Sequence, residues 1–502
     1  MIVHTAHGPI EGTATAGGAV FKGIPYAAPP TGPLRFRPPR PVTPWRETRP
    51  ATAYGPAAPQ PRDELLEKMF GRPPFPTDEA ACLTVNVWTP STGGGPRPVM
   101  VWLHGGAFRT GSGSDPVFDA GHLTERHDVV VVTVNYRLGA LGFLHLGDLL
   151  GEEYAHSGNT GLLDQVAALA WVRDNIAAFG GDPANVTLFG QSAGAMSALC
   201  LMAVPAARGL FHKAIIQSGN AEFVHPPERA TALSRELLSL LGLDEATAHR
   251  LHEVEPRALV TAQQSLEQAM AARGEGPGLP FLPVVDAITL PTTPLEAIRS
   301  GRAARVPLIV GATLEEARLS LLLAPPDPVD EAALPGLFGA AYRDPGTALA
   351  AYRAVEPDPT PTGLATALAT ERMFRAPTAR IADAHAVWTP DVWHYLFTWR
   401  STALGGHLGA CHSLELPFVF GNLGQSSVPR FTGAAPPRPL ADAMGAAWTA
   451  FARHGTPGAR WPAFEPRDRP TMIFDRRTRV SGDPLRTVHG LEAATGDRVP
   501  AP

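Results

Sequence analysis

The chain has 502 residues, of which 44% are hydrophobic and 18% charged, with a formal net charge of −5. That is enough to bury a large core, and it lacks the basic excess that a nucleic-acid partner demands. Three cysteines, Cys82, Cys200 and Cys411, occur without C-x-x-C spacing, which argues against a disulfide framework or a cysteine zinc site and points to a reducing compartment.

The first ten residues carry no basic segment followed by a long apolar core and a small-residue cleavage site, so no secretory signal is expected. The longest strongly apolar runs, such as Val129 to Val134, fall far below the ~20 residues that span a bilayer. The expectation is a soluble, cytoplasmic protein without membrane contact. A prior of ~100–200 residues per domain allows about three domains. Candidate catalytic signals nevertheless run from residue 105 to past residue 400, so a single catalytic domain over 1–502 with insertions fits better.

In chain order, the Pro/Arg-rich segment 29–50 reads as extended surface chain. An apolar strand at 99–103 ends abruptly in His104-Gly105-Gly106, a sequence that bares backbone N–H groups. A valine-rich strand follows at 129–135. From Leu162 to Phe179, the positions Leu162, Val166, Leu169, Val172, Ile176 and Phe179 form a helical stripe, which Gly180-Gly181-Asp182-Pro183 stops. The strand at 185–190 leads directly into Gly190-Gln191-Ser192-Ala193-Gly194 and an Ala-rich helical stretch.

Further strands are expected at 213–217, 306–311, 392–398 and 471–474. Helical stretches at about 225–275 and 330–388, with Pro-rich joints such as Pro325-Pro326-Asp327-Pro328, interrupt this rhythm. They read as helical insertions forming a cap over the strand ends, with scaffold helices as the plainer alternative. The whole is an α/β pattern with a large, mostly parallel central sheet flanked by helices.

The chemistry starts at Ser192. A G-x-S-x-G sequence between strand and helix makes a sharp turn that holds the serine up at a sheet end, and its glycines are a steric requirement. Alone it is weak, since a chain this rich in glycine meets the pattern by chance on the order of a few tenths of a time. The Gly-Gly loop is the independent second feature. In acyl-transfer enzymes of this layout, such a loop and the N–H after the nucleophile bind the developing oxyanion, here Gly105, Gly106 and Ala193.

A serine hydroxyl needs a histidine to take its proton and a carboxylate to hold that histidine, in the order Ser, Asp or Glu, His. Among 17 histidines composition cannot choose. Two segments have the right order and setting: the turn after 306–311, carrying Glu315 and Glu316, and the glycine-rich loop after 392–398, reaching His412.

These segments, with Phe21-Lys22-Gly23-Ile24-Pro25-Tyr26-Ala27, Leu34-Arg35-Phe36, Leu83 to Trp88, Asn135-Tyr136-Arg137-Leu138-Gly139 and Gly161-Leu162-Leu163-Asp164-Gln165, resemble the type B carboxylesterases, which include bacterial p-nitrobenzyl esterases and the cholinesterases. The resemblance covers nearly the whole chain and implies an α/β-hydrolase fold. It maps the catalytic glutamate onto Glu316 rather than Glu315 and the histidine onto His412. It also implies supporting roles for Ser218 and Glu415.

Three departures stand out. The family glutamate that pairs with the arginine matching Arg35 is absent from Ala80-Ala81-Cys82-Leu83, so that ion pair is expected to be absent or replaced. No cysteine precedes Cys82, so it is expected to be a free thiol. Gln191 stands where the family commonly has glutamate, which removes a carboxylate from the pocket and weakens any case for cationic substrates.

His104 reads as a structural hydrogen-bonding residue. Phe108, Phe281, Phe374 and Phe418 are candidates to line a substrate pocket. No cofactor and no metal are called for, because neither metal-ligand spacing nor a phosphate-cradling loop occurs. The function expected is a serine carboxylesterase acting on a small-molecule ester, as a monomer or weak dimer, losing activity at low pH as His412 becomes protonated. The rivals are an amidase, carbamate hydrolase or aromatic-polyester oligomer hydrolase with the same triad, and a non-catalytic interaction protein.

Overall fold

The computed structural model describes residues 1–62, 67, 74–275, 278–323 and 329–495; the joint Pro325 to Pro328 lies outside the described residues. Two sheets are present. The small one joins β1 (Ile2–Thr5), β2 (Gly8–Glu11) and, further along the chain, the short strand Arg49–Pro50. The large one begins with β3 (Thr13–Thr15) and β4 (Gly18–Pro25) at its edge. With Arg49–Pro50 counted as β5, it continues with β6 (Thr84–Thr89), β7 (Arg97–Leu103), β8 (Val130–Val134), β9 (Gly181–Gln191) and β10 (Lys213–Gln217). It closes with β11 (Leu308–Thr313), β12 (Val392–Phe397), β13 (Pro470–Phe474) and β14 (Arg479–Gly482).

The order across this eleven-stranded sheet is β14-β13-β12-β11-β10-β9-β7-β8-β6-β4-β3. From β8 to β13 all pairings are parallel, while β3, β4, β6 and β14 pair antiparallel. Parallel strands require covered faces, so their residues are apolar on both sides. In β7, Val99, Val101 and Leu103 join one core while Met100 and Trp102 join the other. In β8, Val130, Val132 and Val134 lie with the first set and Val131 with the second. The period of two thus divides each strand between two hydrophobic cores.

The expected helix forms over Thr160–Asn175 and tightens into a 3₁₀ turn at Ile176–Phe179. Gly180 ends it with φ 76°, a left-handed conformation that glycine adopts without steric cost. The strand expected at 306–311 begins two residues later, at Leu308, whose partner in β10 is Ala214. Pro307 has no N–H to offer a ladder, and its carbonyl instead accepts from Ala214.

Between β10 and β11 lie two long helices, Pro227–Leu240 and Pro256–Ala272, packed on one another. Between β11 and β12 come Leu334–Gly339, Pro345–Val355 and Pro361–Thr370, which enclose a small core of their own built on Leu334, Phe338, Tyr352 and Leu364. A π-helical turn, Glu371–Arg375, then leads into Ala376–Ala386 beside β11 and β12. Among the described residues, no helix is long and apolar enough to cross a membrane.

Candidate active site

The site lies where β7, β9, β11 and β12 end, the edge at which parallel α/β sheets present their ligand-binding loops. β9 runs to Gln191, the helix Ala193–Ala203 begins two residues on, and Ser192 alone makes the turn at φ 56°, ψ −126°. A non-glycine residue at positive φ is strained and persists only where its surroundings fix it. Here the Ser192 N–H donates to the Gln217 carbonyl of the neighbouring strand at 2.9 Å, and the Ser192 carbonyl accepts from Met196 N–H at 2.8 Å. The flanking glycines are sterically required. A Cβ on Gly194 would stand 2.0 Å from the Leu103 carbonyl oxygen, and one on Gly190 would stand 2.5 Å from the Gly194 backbone.

The Gly-Gly loop after β7 abuts this turn, since a Cβ on Gly105 would lie 3.2 Å from Ser192 Cβ. Gly106 adopts φ 115°, and its carbonyl accepts from both Arg109 and Thr110 N–H at 2.9 Å. Among the described residues no acceptor engages the N–H groups of Gly105, Gly106 or Ala193. His104 braces the loop from beneath: Nδ1 lies 2.8 Å from the Gly105 carbonyl, and the ring stacks on Tyr136. Burial lowers the His104 pKa to about 4 against the raising effect of that hydrogen bond, so the ring is neutral near pH 7.

The two adjacent carboxylates after β11 separate completely. Glu316 is buried and turns its Oε2 to His412 Nδ1 at 2.5 Å. Its Oε1 accepts from Ser218 Oγ at 2.5 Å and from Thr313 N–H at 2.7 Å. Glu315 faces the other way, pairing with Arg318 and Arg400 and accepting from Ala410 N–H. Backbone bonds from Glu315 N–H to the Ala410 carbonyl and from His412 N–H to the Glu316 carbonyl tie the two loops together.

Burial pulls the His412 imidazole downward, but the charge and hydrogen bond of Glu316, with the charge of Glu415 adding, outweigh it and leave the pKa above the ordinary value. Glu415 is itself pushed up to about 7, first by burial and then by Glu316.

Ser218 and Glu415 do not bond to one another. Ser218 serves Glu316, while Glu415 Oε1 accepts from Gln217 Nε2 at 3.1 Å and Trp448 Nε1 donates to Gln217 Oε1 at 3.0 Å. Gln217 and Thr313 are therefore parts of the site that sequence reasoning missed; a backbone amide and a buried strand glutamine leave no motif. Gln191 does more than replace a carboxylate. Its Nε2 stands 3.0 Å from His412 Nε2, and among the described residues no hydrogen bond joins Ser192 Oγ to the imidazole.

Of the four phenylalanines, Phe374 comes to the site, its ring 4.8 Å from that of His412. It is carried there by the π-helical turn, a distortion often found at functional sites. Phe281 is buried in the larger core. Phe108 and Phe418 correct the expectation that they line a pocket. Both are wholly buried, Phe108 against Phe143 and Phe418 against Phe397 and Trp399, so neither presents surface to a ligand.

The Arg35 ion pair, expected to be absent or replaced, is replaced. The partner is Glu79, the residue before Ala80, which accepts from Arg35 Nε at 2.7 Å and from Nη2 at 2.5 Å. Cys82 is a free, buried thiol whose Sγ lies 3.4 Å from the Glu79 carbonyl. Among the described residues no cluster of three or more His, Cys, Asp or Glu could hold a metal ion.

A serine elbow at the end of a central parallel strand, in a large and mostly parallel sheet flanked by helices, defines an α/β-hydrolase fold. The chain belongs to the carboxylesterase family, whose sequence profile it matches over residues 1–334 and 358–489, and is a carboxylic ester hydrolase. It is 40% identical over 493 residues to the para-nitrobenzyl esterase of Bacillus subtilis, covering 96% of each chain. It is 38% identical to the phenmedipham hydrolase of Pseudarthrobacter oxydans, covering 97% of this chain and 98% of that one. Among solved structures, a thermophilic para-nitrobenzyl esterase superposes with a TM-score of 0.86 at 39% identity, covering 98% of this chain and 99% of that one. A Geobacillus stearothermophilus carboxylesterase gives the same values.

Proposed function

We propose that the protein hydrolyses carboxylic esters through an acyl-serine intermediate, with Ser192 as nucleophile, His412 as general base and acid, and Glu316 as the carboxylate that orients it. The observation that carries this is the Glu316 Oε2 to His412 Nδ1 contact of 2.5 Å beside a serine held at φ 56°. A proton on Nδ1 leaves the Nε2 lone pair to take the Ser192 hydroxyl proton as Oγ attacks the carbonyl carbon. The N–H groups of Gly105, Gly106 and Ala193 receive the negative oxygen of the tetrahedral intermediate.

Collapse expels the alcohol, which takes its proton from His412. Water then repeats the sequence on the acyl-enzyme and restores Ser192. His412 works only when neutral at the start of each half-reaction. Because its pKa lies above the ordinary histidine value, turnover falls as pH drops through that raised value.

Hydrolysis of a short p-nitrophenyl ester by wild type and by Ser192→Ala tests the reading. Removing the nucleophile should cost kcat a factor on the order of 10⁴ or more. Equal turnover by the two proteins would contradict it. A p-nitrobenzyl ester and phenmedipham belong in the same panel, because relatives are named for them.

A further inference from the structure

The turn that carries Glu316 is gripped by the same segment that delivers Phe374. Leu314 and Ala317 flank the two glutamates. The Leu314 carbonyl accepts from Arg375 Nη1 at 3.2 Å, and the Ala317 N–H donates to Thr370 Oγ1 at 3.1 Å. Thr370 is the last residue of the helix Pro361–Thr370, and Arg375 is the last residue of the π-helical turn that follows it. One segment thus holds the backbone on both sides of Glu315 and Glu316.

The π geometry is what allows this grip. Positions five apart in an α-helix, at about 100° per residue, point about 140° away from one another. Here the Ala376 N–H reaches back to the Glu371 carbonyl, the i to i+5 bond of a π turn. The wider turn brings positions five apart toward one face, so Thr370 and Arg375 both reach the loop after β11. Both side chains are buried, and Arg375 donates from Nε to Glu371 at 2.7 Å and from Nη2 to Glu356 at 3.0 Å. Held by two carboxylates, its guanidinium is a fixed donor rather than a mobile cation.

We propose that Thr370 and Arg375 are positioning residues for Glu316: their two bonds fix the backbone of its turn, and through it the reach of the Glu316 carboxylate to His412 Nδ1. The inference rests on the serine-hydrolase reading above. Ser218 and the Thr313 N–H hold the carboxylate itself, so the two groups from the π segment act on the backbone instead. The imidazole senses the result. Burial depresses its titration, while the charge and hydrogen bond of Glu316 raise it, with the charge of Glu415 adding. A turn that lets Glu316 drift therefore lowers the His412 midpoint.

The test compares Thr370→Val, which keeps the side-chain shape but loses the acceptor, with Thr370→Ser, which keeps the acceptor. An NMR titration of the His412 ring is combined with turnover of a short p-nitrophenyl ester. Thr370→Val should lower the His412 midpoint by roughly half a pH unit and kcat by about tenfold, with KM little changed, and Thr370→Ser should restore both. Arg375→Lys keeps the charge but lacks the guanidinium fork that serves Glu371, Glu356 and Leu314 together, and should move the midpoint the same way. Should either Thr370→Val or Arg375→Lys fail to fold, the other decides. A wild-type midpoint in either folded variant, or equal shifts in Thr370→Val and Thr370→Ser, would overturn the proposal. The titration needs no turnover, so failure of the hydrolase reading shows separately, as wild-type kcat in Ser192→Ala.

Discussion

At the scale of single residues, the decisive distinction is between two neighbouring glutamates that composition cannot tell apart. Glu316 is held by Ser218 and Thr313 and aims at His412, while Glu315 is consumed by Arg318, Arg400 and the Ala410 amide. Glu316→Gln should therefore lower kcat by roughly 10³–10⁴, because an amide neither fixes the tautomer nor stabilises the imidazolium. Glu315→Gln should leave kcat within about tenfold and instead lower the unfolding midpoint, since it strips charge from two arginines. Steady-state kinetics and thermal unfolding on the two variants separate these outcomes, and equal losses of kcat would contradict the assignment. Ser192 and His412 were legible because each sits in a segment with its own backbone logic. The contact of Gln191 with His412 was not, because it spans 221 residues of sequence. Glu79 was not legible as the partner of Arg35, because it stands one residue before the position at which the family carries its glutamate.

Secondary-structure elements carry the site by their ends. β7 leads into Gly105-Gly106, β9 into Ser192 and β11 into the turn of Glu316, and the loop beyond β12 brings His412 back to that turn. The end of β7 lies so close to the helix after Ser192 that a methyl added at Gly194 would meet the Leu103 and His104 backbone rather than a side chain. Gly194→Ala should displace the elbow by a fraction of an ångström and cost kcat/KM on the order of 10²-fold, with a lowered unfolding midpoint. Retention of wild-type kcat/KM would show that the approach is looser than described. The strands from β7 to β13 announced themselves as apolar runs, since burial on both faces leaves little room for polar residues. The antiparallel strands at the N-terminal edge did not, because β1, β2 and β3 are short and partly exposed. Nor did the π-helical turn that delivers Phe374, which has no periodicity of its own to read.

On the scale of the whole molecule, buried ion pairs join parts of the chain that lie far apart in sequence. Arg137 and Asp164, both essentially inaccessible, connect the loop after β8 to the helix Thr160–Asn175, and this pairing is why two separate motifs of the sequence belong together. Arg35 grips Glu79 and also donates to the carbonyls of Leu251, His252 and Val254, so the N-terminal segment is fastened to the chain between the two long helices. Arg35→Met leaves a buried carboxylate and those carbonyls without their donor, and should cost about 3–5 kcal/mol in denaturant unfolding; a loss below about 1 kcal/mol would mean that the pair behaves as an exposed one. The central claim is the proposed covalent step at Ser192. The measurement that tests it most directly is mass-spectrometric mapping of the adduct formed with a fluorophosphonate. The account predicts a single modified residue, Ser192, with labelling lost in Ser192→Ala and strongly slowed in Glu316→Gln. Labelling at another residue, or none in a protein that still turns over esters, would contradict it.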